Sequence, residues 1–445
     1  MQENILTLMN ENPLDVVKLH EMLVRMNTVD IAEIFEQLSK EQTIHIFRLL
    51  PKDMAADVFS YIIPEKQQII GEALSGDEVG RIMEELFVDD AVDFIEEMPA
   101  NVVNMVLRNV NFEKRALINQ FLQYPEDSVG SVMTAEYTAL REDMSVREAF
   151  DHIRETARAP QIHTCYVVRR DRLLVGEVSL KTLLLAKQHQ RISKLMDSTV
   201  IHAYTVDDQE QAADLFRKYS LMSLPVVDKE KRLVGIITVD DVVRIMEEEA
   251  TEDFEKMAAL VPSDRPYLKT NVLKLAQKRI GWLLILMLSA TITGAIISSY
   301  ETSLAVLPSL IIFIPMLMDT SGNAGCQTST LVIRSIALDE IDFKDIFKVW
   351  WREFRVAVLC GLGLGVVNTA RVMITNNGDL LLAVTISITL FAVILLAKTI
   401  GCLMPLLAKK IKLDPAVLAA PLITTILDGA SLLVYFSIAH AILKI

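Results

Sequence analysis

Apolar residues return along this chain with three different rhythms. From Met1 to about Tyr124 they recur every three or four positions with no alternating stretch, the pattern of amphipathic helices. Pro51, Pro64 and Pro99 each head a new run, in IFRLLPKDMAADVF, SYIIPEKQQII and FIEEMPANVVNMVL. Proline in a first helical turn sacrifices no hydrogen bond, so the recurrence predicts short helices stacked in a solenoid-like superhelix. From 131 to about 249 short β-branched runs alternate with helical ones. From Gly281 onward five apolar segments follow, near Gly281–Tyr300, Leu304–Ala337, Phe354–Thr375, Leu380–Ala408 and Ala416–Leu443. Each can cross a hydrocarbon core of about 30 Å.

The middle third is duplicated. SVMTAEYTALREDMSVREAFDHI is echoed by KLMDSTVIHAYTVDDQEQAADLF, and CYVVRRDRLLVGEVSLKTLL by LPVVDKEKRLVGIITVDDVV. Val168 thereby matches Val227, and Gly176 matches Gly235. Each unit reads as helix, two strands around a charged turn, then helix. This resembles a tandem pair of CBS domains, regulatory modules that hold adenosine nucleotides or ions between their halves. Their signature, glycine, two apolar residues, a hydroxyl and an acid three further on, stands here as Gly235, Thr238 and Asp241. In the first unit Thr182 replaces the acid. Thr238 and Asp241 could equally cap the helix they precede, and no phosphate loop of the G-x-x-x-x-G-K-[ST] type is present.

Charge divides the chain in two. Met1 to Pro262 holds 28 Lys and Arg against 47 Asp and Glu, a net of −19. The remaining 16 of 44 bases and 11 of 58 acids leave Ser263 to Ile445 at +5. An acidic half joined to a weakly basic apolar half argues against nucleic acid and for solvated faces or inorganic cations. Two acid groupings stand out. Asp89, Asp90 and Asp93 share one helical neighbourhood with Glu96 and Glu97. Glu247, Glu248, Glu249, Glu252, Asp253 and Glu255 cover a helix leading toward the first apolar segment, where their mutual repulsion calls for a neutralising partner. Cys165, Cys326, Cys360 and Cys402 form no metal or disulfide pattern. The first residues lack a basic region followed by an apolar core, so no signal peptide is expected. Lys269, Lys274, Lys278 and Arg279 precede the first apolar segment, Lys344, Lys348, Arg352 and Arg355 the third, and Lys409, Lys410 and Lys412 the fifth. The positive-inside rule then places the N-terminus and acidic half in the cytoplasm and the C-terminus outside.

Chemistry inside the apolar half concentrates in two segments. IIFIPMLMDTSGNAGCQ carries Pro315, Asp319, Ser321, Gly322, Asn323, Gly325 and Gln327, and is expected to break regular helix at membrane depth. PLITTILDGASLLVYF sets Pro421, Thr424, Thr425 and Asp428 at helical spacing, one polar face. An intramembrane acid costs about 2.5–3.5 kcal/mol, so it is paired or lines an ion route; small residues also serve plain helix packing. CGLGLG, from Cys360 to Gly365, follows no strand and reads as packing. Lys398 inside the fourth segment needs an acid, a carbonyl or the interface, and the sequence names none.

With these pieces in this order, the whole chain resembles an MgtE-type magnesium channel. The resemblance rests on the proline, glycine, asparagine and glutamine of the second segment and on D-P-A…P-L-x-x-T-x-x-D over Asp414 to Asp428. It implies a multidomain membrane protein: an all-α superhelical N domain (1–128), an α+β tandem CBS pair (129–249), a plug or connecting helix (250–279) and a five-span α-helical pore domain (280–445). It implies a homodimer in the cell membrane, magnesium as both substrate and regulator, and a pore between the fifth spans where Asp428 holds hydrated ion. Pro315, Gly322, Asn323, Gly325, Gln327, Pro421, Thr424 and Thr425 would line that pore. Asp89, Asp90, Asp93, Glu210, Asp241, Glu249, Glu252, Asp253 and Asp414 would sense magnesium and close it. Ser321, Ala420 and Ser335 depart from the family's usual residues. Two alternatives remain open: a nucleotide-sensing regulatory membrane protein, with ATP or another adenosine nucleotide at the CBS pair, and a transporter of broader specificity that accepts cobalt or manganese. The scattered histidines and the absence of a nucleophile–base pattern argue against an enzyme.

Overall fold

The computed structural model describes residues 5, 16–156, 162–262, 267, 270–376, 379–418 and 420–444. Lys269, Asn377 and Gly378 lie outside them. The chain divides into two compact units, Met1–Met246 and Glu247–Ile445.

In the first unit, nine helices from Val16–Leu23 to Phe112–Phe121 precede any strand among the described residues. Each is eight to ten residues long, too short to persist alone, so packing holds them. Next-but-one neighbours pair: Thr28–Glu36 with Lys52–Tyr61, Lys40–Leu49 with Pro64–Ala73, Gly76–Glu85 with Ala100–Asn109, and Val88–Glu96 with Phe112–Phe121. Phe35, Phe47, Phe59 and Phe94 run through the core as edge-to-face contacts with centroids 6.4, 5.8 and 5.0 Å apart. Pro64 opens its helix at the first turn, while Pro51 and Pro99 stand at N-caps.

Each half of the duplication forms a three-stranded sheet: β1 (Ala139–Arg141), β2 (Thr164–Val168) and β3 (Leu174–Ser179), then β4 (Ala203–Tyr204), β5 (Ser223–Val227) and β6 (Leu233–Thr238). The first strand of each runs parallel to the second and the third antiparallel. Registers match: Val168 faces Leu174, and Val227 faces Leu233. β1 and β4 are a finding the pattern missed, at three and two residues too short to show alternation. The halves exchange segments. Thr134 N–H donates to Ile236 and Asp197 N–H to Glu177, and a Cβ on Gly235 or Gly176 would lie 2.8–2.9 Å from the carbonyl oxygen of the crossing strand.

The second CBS half ends in helix Val239–Met257, a single 19-residue element. The expected boundary between CBS pair and connecting helix, at 249/250, therefore falls within a continuous helix.

Among the described residues of the second unit, four helices are long and apolar enough to cross a membrane: Val272–Ser299, Phe343–Thr375, Leu380–Lys410 and Pro421–Leu443. The helix between the first two, Ile314–Ala337, has 24 residues, about 36 Å at 1.5 Å per residue, but its polar motif lowers its hydropathy. One expectation is overturned here. The motif does not break the helix; it runs through it without interruption, and the irregular backbone lies earlier, at Leu307 and the 3-10 turn Pro308–Phe313. Pro315 sits in the first turn, where it costs no hydrogen bond. The glycines are tolerated because neighbouring helices occupy the space a Cβ would need. A Cβ at Gly325 would meet Leu427 at 2.2 Å and Ile423 at 3.2 Å, and one at Gly401 would lie 2.5 Å from the Gly325 carbonyl oxygen. Leu380–Lys410 is the central helix, packed against Ile346–Thr375, Ile314–Ala337 and Ala420–Leu443. Among CGLGLG, Gly361 serves packing, with Phe391 2.7 Å from its would-be Cβ, whereas Gly363 faces open space.

Candidate ion path and acidic sensor

Helix Ile314–Ala337 has two unlike faces. Ser321, Gly322, Gly325, Thr328 and Ser329 are buried, while Pro315, Asp319, Asn323 and Gln327, four residues apart, are exposed. That spacing puts them in one row. Polar groups in a row on an apolar bundle call for water or another polar surface beside them. The buried face meets helix Ala420–Leu443: the would-be Cβ of Gly322 lies 3.1 Å from Thr424 Cγ2. Thr424 and Thr425 both donate to the Pro421 carbonyl at 2.9 Å, which satisfies their hydroxyls inside the helix. Asp428 lies one turn further on, half-buried. Tyr435 fixes the other end by donating to the Leu310 carbonyl at 2.9 Å. The contacts Gly322–Thr424 and Leu310–Tyr435 run in opposite senses, so the two helices are antiparallel and the two expected motifs are brought together.

Lys398 finds the partner the sequence could not name. It lies 3.5 Å from Glu353 and donates to Thr328 Oγ1 at 3.1 Å.

A second group of expected residues meets in the first unit. Asp89, Asp90 and Asp93 lie on helix Val88–Glu96, and each feels Asp241. Burial, reinforced by Asp90, Asp241 and Glu136, pushes the Asp89 carboxyl well above the usual range. Burial and then Asp93 and Asp241 bring Asp90 up to about 7. Asp93 and Asp241 are raised as well, mainly by burial. Asp89 Oδ1 is buried with no hydrogen-bond partner among the described residues. Two residues here escaped the sequence reading. Arg244 pairs with Asp93 at 3.4 Å. Glu136 accepts from the Val88 amide at 3.3 Å and from Thr134 Oγ1 at 2.8 Å, tying the helix N-terminus to the first CBS half. Asp241 also accepts from the hydroxyl and, at 3.3 Å, the amide of Thr238, so the nucleotide signature acts here as a helix cap. In the first half the cap has the opposite direction: Ser179 Oγ accepts from the Thr182 amide at 3.1 Å and lies 2.8 Å from the Thr182 hydroxyl. Glu210 is exposed in the first turn of helix Gln209–Tyr219.

A third group gathers in the second unit around Lys256, which the sequence reading had passed over. Its ammonium lies 2.9 Å from Glu252 and 2.8 Å from Asp414. Burial and the charges of Asp414 and Glu252 raise the Asp253 carboxyl, against the opposing pull of Lys256. Glu249 is partly buried on the same helix. Among the described residues no three His, Cys, Asp or Glu side chains converge closely enough to hold a metal ion. All the acids offer hard oxygen donors, the kind magnesium takes.

Comparison with known proteins bears on both units. The profile of the MgtE divalent cation transporter family matches residues 314–438, that of the MgtE intracellular N domain 26–127, and CBS domains match 129–189 and 192–248. The magnesium transporter MgtE of Thermus thermophilus is 34% identical over 97% of this chain and 96% of its own length. That of Bacillus subtilis is 31% identical over 93% and 91%. The crystal structure of the cytosolic domain of the Mg2+ channel MgtE in complex with ATP is 34% identical, with a TM-score of 0.52 over 55% of this chain and all of that one. These relatives are transporters or channels, not enzymes. With a helical N domain, a CBS pair and a bundle of apolar helices in this order, the chain belongs to the MgtE family of divalent cation transporters.

Proposed function

We propose that the chain is a magnesium channel whose ion path runs between two copies of it. The observation that carries this reading is the exposed row Asp319, Asn323 and Gln327 on a helix otherwise built for an apolar bundle. In this reading Ile314–Ala337 completes five spans, the N-terminal helices form one superhelix in the cytoplasm, and the C-terminus lies outside. Asp428 faces its twin across the dimer axis, and Pro421, Thr424 and Thr425 line the same wall, with Pro315, Gly322 and Gly325 shaping the motif helix. Magnesium dehydrates reluctantly, so a pair of carboxylates on a wide polar face would hold it largely hydrated. That geometry suits cobalt and manganese too, and flux competition decides among them.

The cytoplasmic acids act as the sensor. Without cations, Asp89, Asp90, Asp93 and Asp241 are packed so closely that burial and mutual repulsion raise their carboxyls. A divalent cation would replace the protons and draw the carboxylates together. Glu249, Glu252, Asp253 and Asp414 form the corresponding set on the connecting helix, and Glu210 extends the acidic surface. Closure at high cytoplasmic magnesium follows if the ion-bound arrangement disfavours the open pore. ATP or another adenosine nucleotide is a second ligand in this reading, supported by the relative's cytosolic domain bound to ATP. Gly235, Thr238 and Asp241 would receive its ribose once the cap opens.

The test is magnesium flux into proteoliposomes. Wild-type flux should fall as magnesium rises on the cytoplasmic face, and Asp428→Asn should abolish it. Flux indifferent to Asp428→Asn would place the path elsewhere.

A further inference from the structure

The motif helix has a back as well as a front. Thr328 follows exposed Gln327 but points the other way and is only 1% exposed. Its hydroxyl donates to Glu353 Oε2 at 3.0 Å and accepts from Lys398 Nζ at 3.1 Å. Lys398 and Glu353 close the triangle at 3.5 Å. The three residues come from three helices, Ile314–Ala337, Ile346–Thr375 and Leu380–Lys410. Lys398 is 6% exposed. A lone ammonium or carboxylate at that depth would be costly, so each is held by the other and by the hydroxyl between them.

The triangle lies beside a close helix crossing. Gly401 and Gly325 meet backbone to backbone. Thr328 is one turn after Gly325, and Lys398 one turn before Gly401; the two helices run parallel, with Val332 and Ile336 packing further on against Cys402 and Leu406, so the Lys398 side chain reaches along the glycine contact to the Thr328 hydroxyl. Glycines permit close approach but leave rotation and sliding open. A charge-assisted hydrogen bond has one geometry. We infer that Thr328, Lys398 and Glu353 form a latch that sets the rotation and axial register of the motif helix, and through it the positions of Asn323 and Gln327 along the ion path. Lys398 and Glu353 are positioning residues: they touch the helix from behind and act through it. The functional half of this inference rests on the transport reading above; the structural half does not.

The two halves can be read separately. Removing one charge strands the other, so Lys398→Met and Glu353→Gln alone are expected to assemble poorly. Replacing a buried pair by apolar residues of similar volume is often neutral for stability. The informative protein is therefore the full-length double variant Lys398→Met/Glu353→Met, beside the charge-exchanged Lys398→Glu/Glu353→Lys. Register is read by thiol labelling in membranes, in a background with the four native cysteines changed to alanine. With the latch intact, Gln327→Cys should label and Ser329→Cys, whose position is 1% exposed, should stay protected. In the apolar double variant both should label to within about threefold of each other. In parallel, the magnesium concentration for half-maximal flux should rise at least tenfold in that variant, and the charge-exchanged protein should recover most of the loss. Protected Ser329→Cys in the apolar double variant overturns the latch, whatever the flux. Loss of protection with unchanged half-maximal magnesium overturns its role in positioning the path. If the wild type carries no flux at all, the transport reading fails, and the labelling pattern alone decides the latch.

Discussion

Asp90 offers the sharpest test of the sensor. Its carboxyl is raised from an ordinary 3.8 to about 7, by burial first and by Asp93 and Asp241 next. In the unfolded chain that proton leaves near pH 4; in the folded unit it is held to about pH 7. Between these values the folded state binds more protons, so stability falls as pH rises. Each pH unit in that window corresponds to about 1.4 kcal/mol, tapering off near pH 7, so the step from pH 5.5 to 8 removes about 2 kcal/mol. That is about 30-fold in the opening equilibrium. Hydrogen exchange of the full-length protein in detergent reads it directly, on the peptide spanning Phe87 to Met98 and after correction for the intrinsic pH dependence of exchange.

Without divalent cations, protection of that peptide should drop by about 30-fold between pH 5.5 and 8. Ten-millimolar magnesium should restore most of it at pH 8, and little at pH 5.5, where protons already occupy the carboxylates. Asp90→Asn should weaken the pH dependence by the share that Asp90 carries, leaving that of Asp89 and Asp93, and reduce the magnesium response at this peptide. Ion-free protection that does not change between pH 5.5 and 8 would refute the argument. So would an Asp90→Asn protein that responds to magnesium as the wild type does, since the acid would then be an ordinary buried carboxyl.

Gly401→Ala should fail where Gly363→Ala succeeds, because the new methyl meets the Gly325 carbonyl in one case and open space in the other; overpacking of this kind costs about 1–3 kcal/mol, and detergent-extracted yield and melting temperature report it. Lys256→Met should leave Glu252, Asp253 and Asp414 without their shared cation, so protease cleavage of helix Val239–Met257 should become more strongly magnesium-dependent. Unchanged dependence would mean that Lys256 is not the cation these acids answer to.

The sequence made some of this legible and hid the rest for identifiable reasons. Asp89, Asp90, Asp93 and Asp241 could be singled out because carboxylates at helical spacing and at a signature position are visible in one dimension. Glu136 and Arg244 could not, since neither stands in an acidic run and their roles come from residues 48 and 151 positions away. Glu353 sits in a stretch of mixed charge before the third apolar segment and looks like a flank; only the bundle turns it toward Lys398. The motif of the second segment was read as a broken helix because glycine, serine and proline weaken helices in isolation. Inside the bundle the same small residues allow Leu427, Ile423 and the Gly401 backbone to close in, and packing restores what propensity loses.

Asp319 gives the membrane unit its remaining electrostatic question. The antiparallel contact of Gly322 with Thr424 and Leu310 with Tyr435 places Asp319 near the depth of Asp428. Asp319 is exposed on the row that carries Asn323 and Gln327, whereas Asp428 is half-buried. A lone carboxylate on a surface otherwise made for lipid is costly. In the proposed path, two carboxylates at one level, beside threonines whose hydroxyls are already spent on Pro421 and amides whose carbonyls add further acceptors, would give a wall rich in oxygen ligands. Such a wall discriminates by charge and hydration before it discriminates by size, as expected of a path for an ion that keeps its water. In the proposed sensor the raised carboxyls of the first unit express the same demand in another form, since a cation there would displace protons from Asp89 and Asp90.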